Sequence, residues 1–93
     1  MDILRVAKAG TLESNDILVM VTPGENGTVE LELESIVMKQ FGPVIREEIL
    51  ETVKQMGVNN VRIVAQDKGA LDYTVRARVE TALKRAAEPE VQA

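Results

Sequence analysis

The sequence predicts an α+β fold, a two-layer sandwich of order βββαβα in which a mostly antiparallel sheet carries two helices on one face. Three observations lead there. Residues 29–34 read Val-Glu-Leu-Glu-Leu-Glu, which puts Val29, Leu31 and Leu33 on one face and Glu30, Glu32 and Glu34 on the other. After Ser35 the apolar spacing lengthens to a helical one through Val37, Phe41, Val44/Ile45, Ile49, Val53 and Met56. A β-branched run at 61–65 then separates that helix from a second one, marked by Leu71, Val75, Val79, Ala82/Leu83 and Ala86.

Residues 3–12 form the first and weakest strand candidate, and Glu13-Ser14-Asn15-Asp16 is a polar tetrad suited to a turn. Residues 17–21 (Ile-Leu-Val-Met-Val) form a second strand, ended by Thr22-Pro23-Gly24. Asn26-Gly27 then stands before the alternating segment. Both residues accept positive φ, so a hairpin is expected, and residues 3–34 read as a three-stranded meander. Ser35 is expected to cap the helical region: a short helical turn at 36–41, then a main helix with Pro43 in its first turn, running to about Met56. Gly57 stops that helix. The strand at 61–65 leads into the turn Asp67-Lys68-Gly69, where Asp67 can accept the first free helical N–H groups. The second helix runs from Ala70 to about Ala86, supported by the acid-first pairs Asp72→Arg76 and Glu80→Lys84. One domain covers 1–93, with 88–93 expected as a frayed tail.

Composition excludes several functions. The chain has no cysteine, no histidine and no tryptophan. It therefore has no thiol nucleophile, no Cys/His metal site and no Ser-His-Asp triad. Phe41 and Tyr73 are its only aromatics, too few for a base-stacking platform, and a net charge of −4 opposes phosphate-backbone binding. No apolar run approaches a membrane span and no signal-peptide core is present, so a cytoplasmic protein without nucleic-acid or membrane partners is expected. Residues 1–34 hold seven acids against two bases, whereas the remainder holds eight against nine. That acidic third would attract basic surfaces. Its glutamates point in parallel along a strand and do not converge, so no metal site is expected.

Few residues carry chemistry. Arg76 and Arg78 lie two apart on a helix, point to different sides and suit separate surface ion pairs. Of the two serines, Ser35 suits a cap and Ser14 sits on the bend. With no base beside it, Ser14 cannot act as a nucleophile unaided. It either bonds its own turn or receives a group from another enzyme.

Ala9-Gly10-Thr11-Leu12-Glu13-Ser14, Lys39-Gln40-Phe41-Gly42, and Asp67-Lys68-Gly69-Ala70-Leu71-Asp72 with Arg76-Ala77-Arg78-Val79-Glu80 resemble, in that order, the citrate lyase acyl carrier (gamma subunit) family. The resemblance runs from about Ala7 to Ala86. It departs where the family continues Phe-Gly-Asp, because Pro43 follows Gly42 here. The resemblance implies a non-catalytic carrier subunit, a phosphoprotein of citrate fermentation. Ser14 would bear a covalent phosphoribosyl-dephospho-coenzyme A through a phosphodiester. The thiol of that arm would hold acetyl and citryl thioesters while citrate is cleaved to oxaloacetate and acetate. The implied partners are the citrate lyase alpha and beta subunits and a prosthetic-group transferase. Glu13 and Asp16, beside Ser14, would be recognition charges for such a partner. Two other readings stand beside it. One is a non-enzymatic interaction or regulatory module using its acidic sheet face. The other is the carrier of a related lyase such as citramalate lyase. The two motifs around Ser14 and Asp67 look closer to citrate lyase than to the malonate decarboxylase carrier.

Overall fold

The computed structural model describes residues 1–89. Six elements succeed one another: β1 (Ala7–Ala9), β2 (Ile17–Pro23), β3 (Val29–Ser35), α1 (Met38–Gln55), β4 (Val61–Asp67) and α2 (Asp72–Ala87). The fold is the expected α+β sandwich. Of the expected tail, Glu88 and Pro89 are described and exposed, and 90–93 lie outside the described residues.

The meander is not formed. The sheet order is β1-β2-β4-β3, so β4 lies between the two strands that Asn26-Gly27 was expected to pair. β2 runs antiparallel to β1 and to β4, and β3 runs parallel to β4. The 24–28 connection therefore steps across the start of β4. Asn60 fastens it there: its Oδ1 accepts from the Gly27 N–H at 3.0 Å, and its Nδ2 donates to the Gly24 carbonyl at 3.2 Å. The Val61 N–H bonds the Thr28 carbonyl at 3.0 Å. The Asn-Gly signal was a local preference, and pairing was decided by β3 and β4 burying a shared apolar face over α1.

Alternation sets the core. Ile17, Val19 and Val21 of β2 and Val61, Ile63 and Ala65 of β4 point under the helices and are buried. They meet Ile45, Ile49 and Val53 of α1 and Val75, Val79, Ala82, Leu83 and Ala86 of α2. Each fully buried Ile or Leu adds roughly 1.5–3 kcal/mol of hydrophobic stabilisation. The opposite face carries Lys8, Met20, Arg62 and the three exposed glutamates of β3. β1 is the shortest strand, far shorter than the 3–12 expected, and the segment before it docks on α2 instead, Leu4 and Arg5 N–H both bonding the Ala86 carbonyl.

The first helix is one piece, where a short turn followed by a main helix was expected. Pro43 lies inside it, beyond the first turn. Its ring is exposed, so the carbonyl one turn back that loses its partner is at the solvent side of the helix. Gly57 stops the helix as expected, with φ +72°. Its N–H bonds the Lys54 carbonyl and that of Val58 bonds the Val53 carbonyl, a Schellman closure. No side chain caps the first residue, and Ser35 is not the cap: its hydroxyl accepts from the Val37 N–H, ahead of the helix. α2 begins at Asp72 and not at Ala70.

Candidate functional site

The start of β2, the ends of β3 and β4 and the starts of both helices meet at one end of the sheet, because Ile17 and Ser35 both register with Asp67. The Ser14 turn is at that end. The Asp16 N–H bonds the Glu13 carbonyl at 3.2 Å and closes a four-residue turn with Ser14 and Asn15 at its corner. Asn15 has φ +66°, a left-handed conformation that asparagine tolerates better than most residues. The Asn15 N–H bonds the Lys68 carbonyl, and the Lys68 N–H bonds the Asp16 carbonyl, both at 2.8 Å. These bonds carry the β2–β4 ladder one step beyond the strands, to the corner of the turn.

Asp16 is the hub of the turn. Its carboxylate accepts from Arg78 Nε and Nη2 at 3.0 Å each, from the Thr11 hydroxyl at 2.8 Å and from the Ile17 N–H at 2.7 Å. The Arg78 guanidinium holds the carboxyl at a pKa of about 2, with the Thr11 and Ile17 bonds helping and partial burial opposing. The Asp16 carboxylate in turn raises the pKa of Arg78. Thr11 also accepts from the Glu13 N–H at 3.2 Å. Gly10, at φ +91°, leaves no space for a side chain: a Cβ there would overlap the Ile17 carbonyl oxygen and lie 3.2 Å from Arg78 Cδ. The arginine that Asp16 binds at the loop's exit thus has its stem beside Gly10 at the loop's entry.

The two serines are placed in opposite circumstances. The half-buried Ser35 donates to Asp67 Oδ2 at 2.8 Å. Asp67 is 2% exposed and also accepts from the Gly69 and Ala70 N–H groups, so it organises the turn before α2 and does not reach the helix's own first N–H groups. Ser14 is exposed, and its hydroxyl makes no hydrogen bond among the described residues. Leu12 and Glu13 beside it are also exposed.

The structure separates the two expected recognition charges. Glu13 is free of ion pairs among the described residues, whereas Asp16 is spent on Arg78, with its side chain only 13% exposed. Arg76 and Arg78 diverge as expected: Arg76 pairs with Glu48 of α1 at 2.7 Å and with Asp72 at 3.8 Å. Glu80 and Lys84 form no ion pair with each other among the described residues. Gly10 and Thr11 were not singled out from spacing, and Arg78 was read only as one of two diverging surface charges, not as the partner of Asp16. Arg78 stands 62 positions from Asp16, beyond any periodic signal, and only the shared motifs pointed to these residues. No group of His, Cys, Asp or Glu that could hold a metal ion occurs among the described residues. No helix among them is long and apolar enough to cross a membrane.

A turn held by the sheet and by α2 that presents an exposed, unbonded serine hydroxyl is an arrangement suited to bearing a group attached by another enzyme. Comparison with known proteins makes the class particular: the chain belongs to the family described as ACP, malonate decarboxylase delta subunit (MdcD), whose model matches residues 5–86. It is 52% identical over 88 residues to the citrate lyase acyl carrier protein of Halothermothrix orenii, covering 95% of this chain and 93% of that one. It is 52% identical over 91 residues to the citrate lyase acyl carrier protein of Streptococcus mutans, covering 98% and 89%. Among solved structures, a chain of a Pseudomonas malonate decarboxylase hetero-tetramer in complex with malonate shares the fold, with TM-score 0.79 over 94% of this chain and 89% of that one. At 20% identity that likeness is one of fold. These kinships identify an acyl carrier role, in which the chain bears a group and does not itself catalyse.

Proposed function

We propose that this chain is the acyl carrier subunit of a citrate lyase, with phosphoribosyl-dephospho-coenzyme A joined to Ser14 by a phosphodiester. One observation carries the assignment to Ser14. Of the two serines, Ser35 has its hydroxyl committed to the buried Asp67, and Ser14 has its hydroxyl exposed and unbonded. The surroundings fit a bulky phosphate-linked group, because Leu12, Glu13 and Asn15 are all exposed and nothing has to move to admit it. The arm would supply the thiol that this chain lacks and hold acyl groups on it as thioesters.

The chain's own residues do the holding. Asp16, Thr11 and the Lys68 backbone fix the turn, and Ser14 Oγ faces outward from it. On attachment, Ser14 Oγ would attack the arm-proximal phosphorus of a polyphosphate-activated form of the arm; the Oγ–phosphorus bond forms, the phosphoanhydride P–O bond breaks, and the terminal polyphosphate leaves. The hydroxyl proton passes to a base of the attaching enzyme, because this chain has no histidine to take it. Glu13 is the recognition charge that remains available to that transferase or to the mouth of the alpha or beta subunit. The reading includes a cytoplasmic location, where an exposed thiol stays reduced.

Intact mass tests it. The chain produced together with the citrate lyase attachment enzymes should be heavier by one arm. Ser14→Ala should take up none, and Ser35→Ala should take it up normally. An unmodified wild-type chain, or an adduct that survives in Ser14→Ala, overturns the assignment.

A further inference from the structure

Asp16 has four acceptor contacts, and Arg78 makes two of them. The guanidinium reaches the turn from the middle of α2, and its Cδ lies against the one loop residue, Gly10, that cannot carry a side chain. Thr11 completes the arrangement by bonding both the Asp16 carboxylate and the Glu13 N–H. Both flanks of Ser14 are therefore tied to one side chain on a helix that packs under the sheet.

We propose that Arg78 is a positioning residue for group attachment at Ser14: its fork on Asp16 holds the turn in the shape in which the Ser14 hydroxyl is offered to the attaching enzyme. The proposal rests on Ser14 being the attachment point. Arginine suits the task for a geometric reason. Its planar fork meets both carboxylate oxygens at once and fixes the direction of the carboxylate as well as its distance. A lysine would satisfy the charge with a single-point contact and leave Asp16 free to turn. When the fork is lost, Asp16 retains the Thr11 and Ile17 bonds, so the turn loosens without leaving the sheet.

Arg76 is the built-in control. It lies on the same helix, its side chain is as exposed as that of Arg78, and it pairs with Glu48 of α1, away from the Ser14 turn. A merely structural contribution of Arg78 would make Arg76→Gln and Arg78→Gln behave alike.

The experiment measures attachment of the arm by purified transferase to the full chain, followed by intact mass, with kcat and KM for the carrier. Arg78→Gln should lower kcat/KM roughly ten- to a hundredfold, the size of effect expected from a misplaced reacting group, with the loss mainly in kcat. Arg78→Lys should fall between Arg78→Gln and the wild type, and Arg76→Gln should match the wild type. Amide hydrogen exchange in Arg78→Gln should accelerate at Asn15 and Lys68 while the β2–β4 ladder stays protected. Thermal melting confirms that each variant is folded, and Arg78→Lys serves as the readout if Arg78→Gln is not. Equal attachment rates for wild type and both Arg78 variants overturn the positioning role and leave Ser14 standing. Equal losses in Arg76→Gln and Arg78→Gln also overturn it. Failure of the wild-type chain to be modified at Ser14 removes the underlying reading, and this role with it.

Discussion

The two ends of β2 are fastened by different chemistry. At its start, the 10–16 loop is held by an ionised fork from α2 and by backbone bonds to Lys68. At its finish, the 24–28 connection is held at the start of β4 by the neutral amide of Asn60 and one bond from Val61, and Asn26 donates to the exposed Glu30 carboxylate of β3. Both connections contain a glycine at positive φ, Gly10 and Gly27, but only Gly10 is enclosed. The difference reflects what each segment has to do. The 24–28 connection only carries the chain over the start of β4, and a short neutral staple suffices. On the proposed reading the 10–16 loop would have to keep the Ser14 hydroxyl pointing outward, a task suited to a directional, charged restraint. A charged restraint responds to pH and salt, whereas an amide staple does not.

The contrast between the two ends can be broken most severely at its glycines. Gly10→Ala should cost roughly 2–5 kcal/mol, from backbone overlap with Ile17 added to a left-handed alanine. Denaturant unfolding reads that loss, and a cost below that of Gly27→Ala would erase the contrast. Asn60→Ala should cost about 1–2 kcal/mol, two exposed hydrogen bonds' worth, with no dependence on ionic strength. Gly27→Ala should cost about 1 kcal/mol, because nothing lies within 4 Å of the new methyl group and only φ is unfavourable. The fork gives a test of another kind, read as a change with pH. Asp16 has its folded pKa depressed to about 2, below the unfolded value of about 3.9. Its contribution is therefore fully present above pH ~4 and is lost as the pH falls toward 2. The stability difference between wild type and Asp16→Asn should shrink across that window, whereas that between wild type and Asn60→Ala should stay constant. Melting curves from pH 2 to 6 decide it, and a difference that does not shrink would remove the charged character of the fork.

Local rules were legible in the sequence. Alternation identified the buried face of β3, helical spacing identified α1 and α2, and Gly57 and the polar tetrad identified a helix stop and the bend bearing Ser14. What escaped was set by partners distant in the chain. Asn26-Gly27 favours a tight turn, yet β4, which arrives more than thirty residues later, took the place beside β2. Ser35 has the chemistry of a cap but found a stronger partner in Asp67, across the β3–β4 pairing. Asp16 looked like a free surface charge because no periodic pattern shows that an arginine on the last helix will reach it.

The ladder bonds that run past β2 and β4 to Asn15 and Asp16 have a mechanical consequence. On the proposed attachment, a group borne on Ser14 would swing from a pivot one residue beyond those bonds, with almost no lever of loose chain beneath it. The volume it searches is then set by the group's own length and by how the carrier docks. Its effective concentration at a partner's catalytic centre can thus be tuned by docking geometry alone, without any change in the carrier's own shape.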